Sequence, residues 1–314
     1  MRHIVGDAAV VAVIGPFNSY VAQAQIPISN AAGLLQCSPA TTDPQLTRTG
    51  TPNPRNYIRV ITTDDAAAAG AARFVLERLG KTSVLVVDDN QDQGTAMADW
   101  FAAEFGRLGG SVILRETLPD SASALSAMLA SALAKRPQAI YFGGSGDRAA
   151  TLLNAAVQAG MGGIPFVGSD ALNDGDAATP GSFLSLVGEG AQDAYSVFPG
   201  LVNGPGEATF EARYRTSYDA DPTPFAAVGY ACAQVVVAAL QQIEADPGMS
   251  AIGLRDAVRA AGVDTSTTFD TILGPIAFDA RGDVTPKRLT IYAFDTTARD
   301  WAYADQIDAT GVGR

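Results

Sequence analysis

AAVVAVI, residues 8–14, is an unbroken apolar run stopped by Gly15-Pro16. A strand with one wet face alternates apolar and polar residues. This run does not, so it predicts a strand buried on both faces, as in a parallel sheet. Helical spacing follows over 21–32, then a short strand over 34–36, a loop rich in Pro and Thr over 38–56 and a strand over 57–61. Asp64-Asp65 open a helix that runs to residue 79, with the acidic pair at its positive end. The rhythm then repeats: strand 83–87 (SVLVV), helix 95–108, strand 112–114, helix 122–134, strand 139–142, helix 147–159, strand 165–167. Buried strands alternating with helices call for an α/β fold with parallel sheets and right-handed crossovers. Beyond Gly168 the pattern loosens into a strand over 194–198 and helices over 207–218, 225–244 and 252–261. Short strands over 274–278, 289–294 and 301–304 close the sequence.

The 314 residues are enough for two domains of ordinary size. With 47% apolar and 17% charged residues the composition is globular, and no window holds 18 consecutive apolar residues, which predicts no membrane-spanning helix. A net charge of −12 argues against a nucleic-acid partner, because phosphate binding needs basic patches. The one histidine, His3, removes most histidine-based catalysis and most zinc chemistry. Cys37 and Cys232 have no metal-ligand spacing, and the expectation is two buried free thiols rather than a disulfide. Residues 1–7 do not have the pattern of an export signal, and none is expected within this sequence.

Three stretches invite a chemical reading. Gly143-Gly144-Ser145-Gly146-Asp147-Arg148 joins a strand to a helix, but Ser145 and Arg148 stand where a dinucleotide fingerprint needs glycine. A loop with its amides facing a ligand suits it better. Residues 88–94 (DDNQDQG) resemble a calcium loop, yet the sixth and twelfth positions, Gln93 and Asp99, lack the required glycine and glutamate. Asp170, Asp174 and Asp193 offer carboxylates for acid–base work, but no motif pairs them, and no enzyme, cofactor or metal site is expected. What remains are strand ends. Asn18-Ser19 follow the first strand, 38–42 (SPATT) follow the second, and Asp170 follows a later one. Ligands of open parallel sheets bind there. Hydroxyls and amides suit a carboxylate and Asp170 suits an ammonium group, although capping and turn chemistry accounts for the same residues equally well.

Residues 13–19 (VIGPFNS), 26–30 (IPISN), 35–47 (LQCSPATTDPQLT), 57–63 (YIRVITT), 140–144 (IYFGG), 166–170 (FVGSD) and 276–283 (IAFDARGD) stand in the order and near the spacings of the leucine/isoleucine/valine-binding protein family. The chain resembles these type I periplasmic solute-binding proteins over nearly its whole length. The resemblance implies an extracytoplasmic substrate-binding subunit of an ABC importer that takes an amino acid, branched-chain in the first instance, and delivers it to membrane permease subunits. A ligand-sensing module of the same fold is the alternative. Lobe one is expected over 1–62 plus 199–286 and lobe two over 63–198 plus 287–314, with crossovers near 62–65, 197–200 and 286–289.

Carried over residue by residue, the resemblance gives Ser19, the Ala40 amide and the Thr42 hydroxyl to the ligand carboxylate and Asp170 to its ammonium. Phe17, Asn18 and Phe225 fall on pocket-wall positions. Ser145 stands where a tyrosine often follows the Gly-Gly pair, which weakens one ammonium contact. The family's first strand–helix–strand–helix stretch has no counterpart here, so lobe one is expected to be incomplete, N-terminally truncated and with an open sheet edge. No arginine or lysine adjoins Ser19, Ala40 or Thr42 in sequence, which predicts a carboxylate held by hydrogen bonds without a salt bridge.

Overall fold

The computed structural model describes residues 1–48, 55–202, 204–243 and 248–311. In chain order the elements are α1 (Arg2–Gly6), β1 (Ala12–Ile14), α2 (Ser19–Ala31), β2 (Leu35–Ser38), α3 (Gln45–Arg48), β3 (Tyr57–Arg59), α4 (Asp64–Arg73), β4 (Ser83–Asp88), α5 (Asp92–Arg107), β5 (Ser111–Thr117), α6 (Ala122–Ala134) and β6 (Ala139–Gly143). There follow α7 (Gly146–Ala156), β7 (Phe166–Ser169), α8 (Phe183–Val187), β8 (Ala194–Phe198), α9 (Glu207–Tyr218), α10 (Pro224–Gln241), α11 (Ala251–Gly262), β9 (Phe269–Thr271), β10 (Gly274–Phe278), β11 (Val284–Thr285), β12 (Arg288–Asp295) and β13 (Asp300–Asp308). The chain divides into two compact units: Met1–Thr63 with Gly200–Arg288, and Asp64–Pro199 with Leu289–Arg314.

The second unit is a seven-stranded sheet ordered β13-β12-β8-β7-β6-β4-β5. Strands β4 to β8 pair in parallel, whereas β12 runs antiparallel to β8. Successive side chains of a strand point to opposite faces. Val84, Val86 and Tyr141 accordingly join one core with Met97 and Phe101, while Leu85, Val87 and Phe142 join the other with Leu129 and Leu153. Both faces are covered, which is why these strands carry no alternation. Helix α4 is almost wholly buried and built of small residues, with Ala66, Ala68 and Ala72 fully inaccessible. A Cβ on its Gly70 would lie 2.0 Å from the end of the Leu289 side chain, so any larger residue would force that buried leucine of β12 to shift.

The first unit holds a parallel sheet β1-β2-β3 and a second sheet β11-β10-β9. Leu35 and Cys37 of β2 pack with Val228, Ala231 and Val235 of α10 around Phe269 and Phe278. Helix α10 spans 18 residues and is apolar enough to cross a membrane by length and composition, a property the search for unbroken apolar runs missed. It is a core helix of this unit, and it is bolted to the sheet. Cys37 and Cys232 form a disulfide with Cα atoms 5.8 Å apart, both fully buried. The expectation of two free thiols is overturned: their separation of 195 residues says nothing about distance once β2 and α10 stack.

Other departures are local. The run at 8–14 is a strand only over Ala12–Ile14 and is not buried on both faces, since Ile14 is 48% exposed; α1, α3, α8, β9 and β11 lie in stretches without a readable period. Strand β13 runs on well beyond the 301–304 read from sequence. The expected loop segment 49–54, the helix end at Glu244 and the last residues 312–314 lie outside the described residues.

Candidate functional site

In the first unit, β1 and β2 are paired neighbours, so the loops beyond their carboxyl ends lie side by side. Phe17, Asn18 and Ser19 leave β1 and enter α2; Ala40 and Thr42 leave β2. Ser38, the last residue of β2, ties the two loops together. Its hydroxyl donates to the Pro16 carbonyl (2.9 Å) and accepts from the amides of Ala40 (3.3 Å) and Thr41 (3.1 Å). The Asp43 amide donates to Ser19 Oγ at 3.3 Å, leaving the Ser19 proton to another acceptor. Thr42 is half-buried and its hydroxyl bonds to no described residue. Phe17, 57% exposed, packs its ring 4.9 Å from that of Phe225 at the start of α10. Asn18 is exposed and donates to the Tyr20 hydroxyl at 3.4 Å.

A cation does lie close to this loop in space, although none adjoins it in sequence, and its donors are all directed into the protein. Arg59, fully buried at the end of β3, lies directly behind the loop. Its guanidinium donates to the carbonyls of Thr41 (3.1 Å) and Asp43 (2.7 Å), to Thr47 Oγ1 (2.8 Å) and to Asp283 Oδ1 (2.7 Å). Holding the carbonyls back turns the opposite side of the loop, with its amides and hydroxyls, away from the arginine. Burial would raise the Asp283 carboxyl, but Arg59 outweighs it and the group sits below the ordinary carboxylate range. Sequence reasoning gave Arg59 and Asp283 no role, and it placed Ser38 in the loop without its tying part. Only a contact across 224 positions reveals Arg59 and Asp283 as a pair.

In the second unit, β4, β6 and β7 are consecutive neighbours, and Asp89, Ser145 and Asp170 follow their carboxyl ends. The Ser145 amide donates to Asp89 Oδ2 at 3.1 Å, and its exposed hydroxyl donates to Asp147 at 2.6 Å. This explains the Gly143-Gly144 pair. Gly144 has φ +152°, and a Cβ there would lie 2.5 Å from Asp89 Cγ. Two carboxylates of 88–94 are already engaged: the amides of Asn90 and Gln91 donate to Asp88 and Asp89 at 2.7 and 3.0 Å, and Arg115 pairs with Asp88. Among the described residues no group of three side chains could hold a metal ion.

Asp170 opens a short turn after β7, behind the capped hydroxyl of Ser169. Part of its surface stays open, yet the protein packed around it dominates. Burial raises its carboxyl to about 7, and the negative charge of Asp64 adds to the shift. Asp64, at the start of α4, accepts from Gln93 at 3.0 Å. The Tyr141 hydroxyl, buried near both carboxylates, has no hydrogen-bond partner among the described residues and is pushed far up by that burial. The sets Ser19/Ala40/Thr42 with Phe17/Phe225 and Ser145/Asp170 are thus each assembled by neighbouring strands, on different units.

Parallel α/β units, each built from two separated stretches of chain with ligand-grade groups at the strand carboxyl ends, define the type I periplasmic binding class. The sequence profile of the family described as periplasmic binding protein matches residues 1–298, and this chain belongs to that family. An amino acid binding protein of Pseudomonas aeruginosa is 24% identical over 294 residues, covering 94% of this chain and 74% of the relative. The Leu/Ile/Val-binding protein homolog 1 of Brucella melitensis is 24% identical over 273 residues, covering 86% and 68%. An ABC transporter substrate-binding protein of Desulfitobacterium hafniense, solved in complex with Leu, shares the fold: TM-score 0.78 at 19% identity, over 96% of this chain and 83% of that one. These relatives are binding proteins and not enzymes by name.

Proposed function

We propose that the protein is the substrate-binding subunit of an ABC importer and captures an amino acid of the branched-chain type. The carboxylate of the ligand is taken by Ser19, the Ala40 amide and Thr42, and its ammonium by Asp170, with Phe17 and Phe225 beside the side chain. One observation carries this reading: the Ser19 proton and the Thr42 hydroxyl are left over at one set of strand ends, and a half-buried carboxyl that burial holds near neutrality stands at the other. A buried zwitterion needs a partner for each of its charges. Membrane permease subunits are the partners this role requires. The buried disulfide supports a location outside the cytoplasm, because such bonds persist in oxidising compartments.

The test is a thermal-shift and calorimetric screen of the protein against leucine, isoleucine, valine, other amino acids and aromatic acids. A ligand at about 100 times its Kd stabilises the folded state by about 2.7 kcal/mol. Stabilisation by leucine, isoleucine or valine is the expected result. Response to a compound without an amino group, and to no amino acid, overturns the ammonium assignment.

A further inference from the structure

The first unit contains a cavity of about 490 Å³ between α9 and α10 that shares no residue with the set built around Ser19. Phe210, Tyr214 and Tyr218 recur every fourth residue along α9 and so share one face. Their rings step along it at 5.7 and 4.7 Å between centroids. Tyr230 of α10 closes the far side, 5.2 Å from Phe210. Tyr218 is 68% and Tyr230 41% exposed, so this aromatic ladder keeps large ring surfaces in water. Surface aromatics normally tuck one face away, because each ring carries more apolar area than most side chains.

Arg213 lines the same cavity. Its guanidinium makes no hydrogen bond or ion pair with a described residue. Arg215, two positions on, shows what usually happens in so acidic a chain: it is held by Glu211 and Asp221. A permanently charged, two-pronged donor left open beside a row of tilted rings is complementary to a flat anion.

We propose that this cavity is a second ligand site, taking a small planar aromatic acid whose ring stacks among Tyr214, Tyr218 and Tyr230 and whose carboxylate pairs with Arg213. The volume lies within the ~300–1,000 Å³ of small-molecule pockets. Benzoate is the probe, with uncharged benzamide as its control, followed by calorimetry and amide NMR on the whole chain. Benzoate should bind saturably, with shifts gathered on α9 and the first turns of α10. Arg213→Gln, an exposed change that leaves the core untouched, should weaken benzoate about five- to tenfold, and benzamide should bind the parent that much more weakly. Tyr218→Ala should weaken both compounds. No saturable binding, shifts centred on Ser19 or Asp170, or equal affinity for benzoate and benzamide would each overturn the proposal.

Discussion

Asp170 concentrates the tension of the site in one side chain. Its carboxyl is raised from 3.8 to about 7, first by burial and then by Asp64. Between those pH values the folded protein holds a proton that the unfolded chain has released. Stability therefore falls as pH rises through this window and reaches its floor above about 7. Asp170→Asn should stabilise the ligand-free protein at pH 8 by on the order of 2 kcal/mol, with no gain near pH 4, as read by melts at both. Ligand capture should behave in the opposite sense. Only the ionised form accepts an ammonium, so apparent Kd should rise roughly tenfold per pH unit below the folded value. Asp170→Ala should cost roughly 2–5 kcal/mol of binding, some thirtyfold to several thousandfold in Kd, because it leaves an ammonium unpaired. Ser19→Ala should cost about 1–2 kcal/mol, since other donors remain for its partner. Calorimetry with leucine measures both; an Asp170→Ala variant that binds as tightly as its parent sinks the assignment. Asp170 and Ser19 could be singled out in the sequence because a polar residue just past an apolar strand is a local signal. The Tyr141 hydroxyl could not, since nothing local distinguishes it from any core tyrosine.

At the scale of elements, the loop after β2 is shaped from behind. Arg59 spends its donors on two loop carbonyls, a threonine and Asp283 without leaving the core. Arg59→Met should destabilise the first unit by about 3–5 kcal/mol, because a buried carboxylate loses its cation. It should also weaken the ligand without touching it. Denaturant unfolding and leucine calorimetry read the two effects, and unchanged stability would remove Arg59 from the argument. The buried strands β4, β6 and β8 were readable as apolar runs, and α9 was read over the residues it occupies. Strand β1 was read too long because residues 8–11 are as apolar as the strand they precede. The disulfide was misjudged because pairing between β2 and α10 is a fact of packing. Sequence spacing does not report it.

At the scale of the molecule, each unit has its own apolar cores. Replacing Cys37 and Cys232 together by serine should lower the stability of the first unit by about 2–4 kcal/mol. Hydrogen exchange should quicken over residues 1–63 and 200–288 while 64–199 keeps its protection. Uniform loosening of both units would count against independent cores. Periodicity foretold α/β units with parallel strands. It did not foretell that each unit is stitched from two distant stretches. That expectation came from family resemblance, because a crossing leaves no mark on hydrophobic pattern.

This stitching sets a timetable for a chain made from its N-terminus. Strands β1 to β3 leave the ribosome early, but α10, which covers them, comes only after the whole run from 64 to 199 has been synthesised. Cys37 waits 195 residues for its partner, about 10–40 s at ~5–20 residues per second. Through that interval Cys37 has no bonding partner and the sheet β1-β2-β3 lacks the helix that covers it.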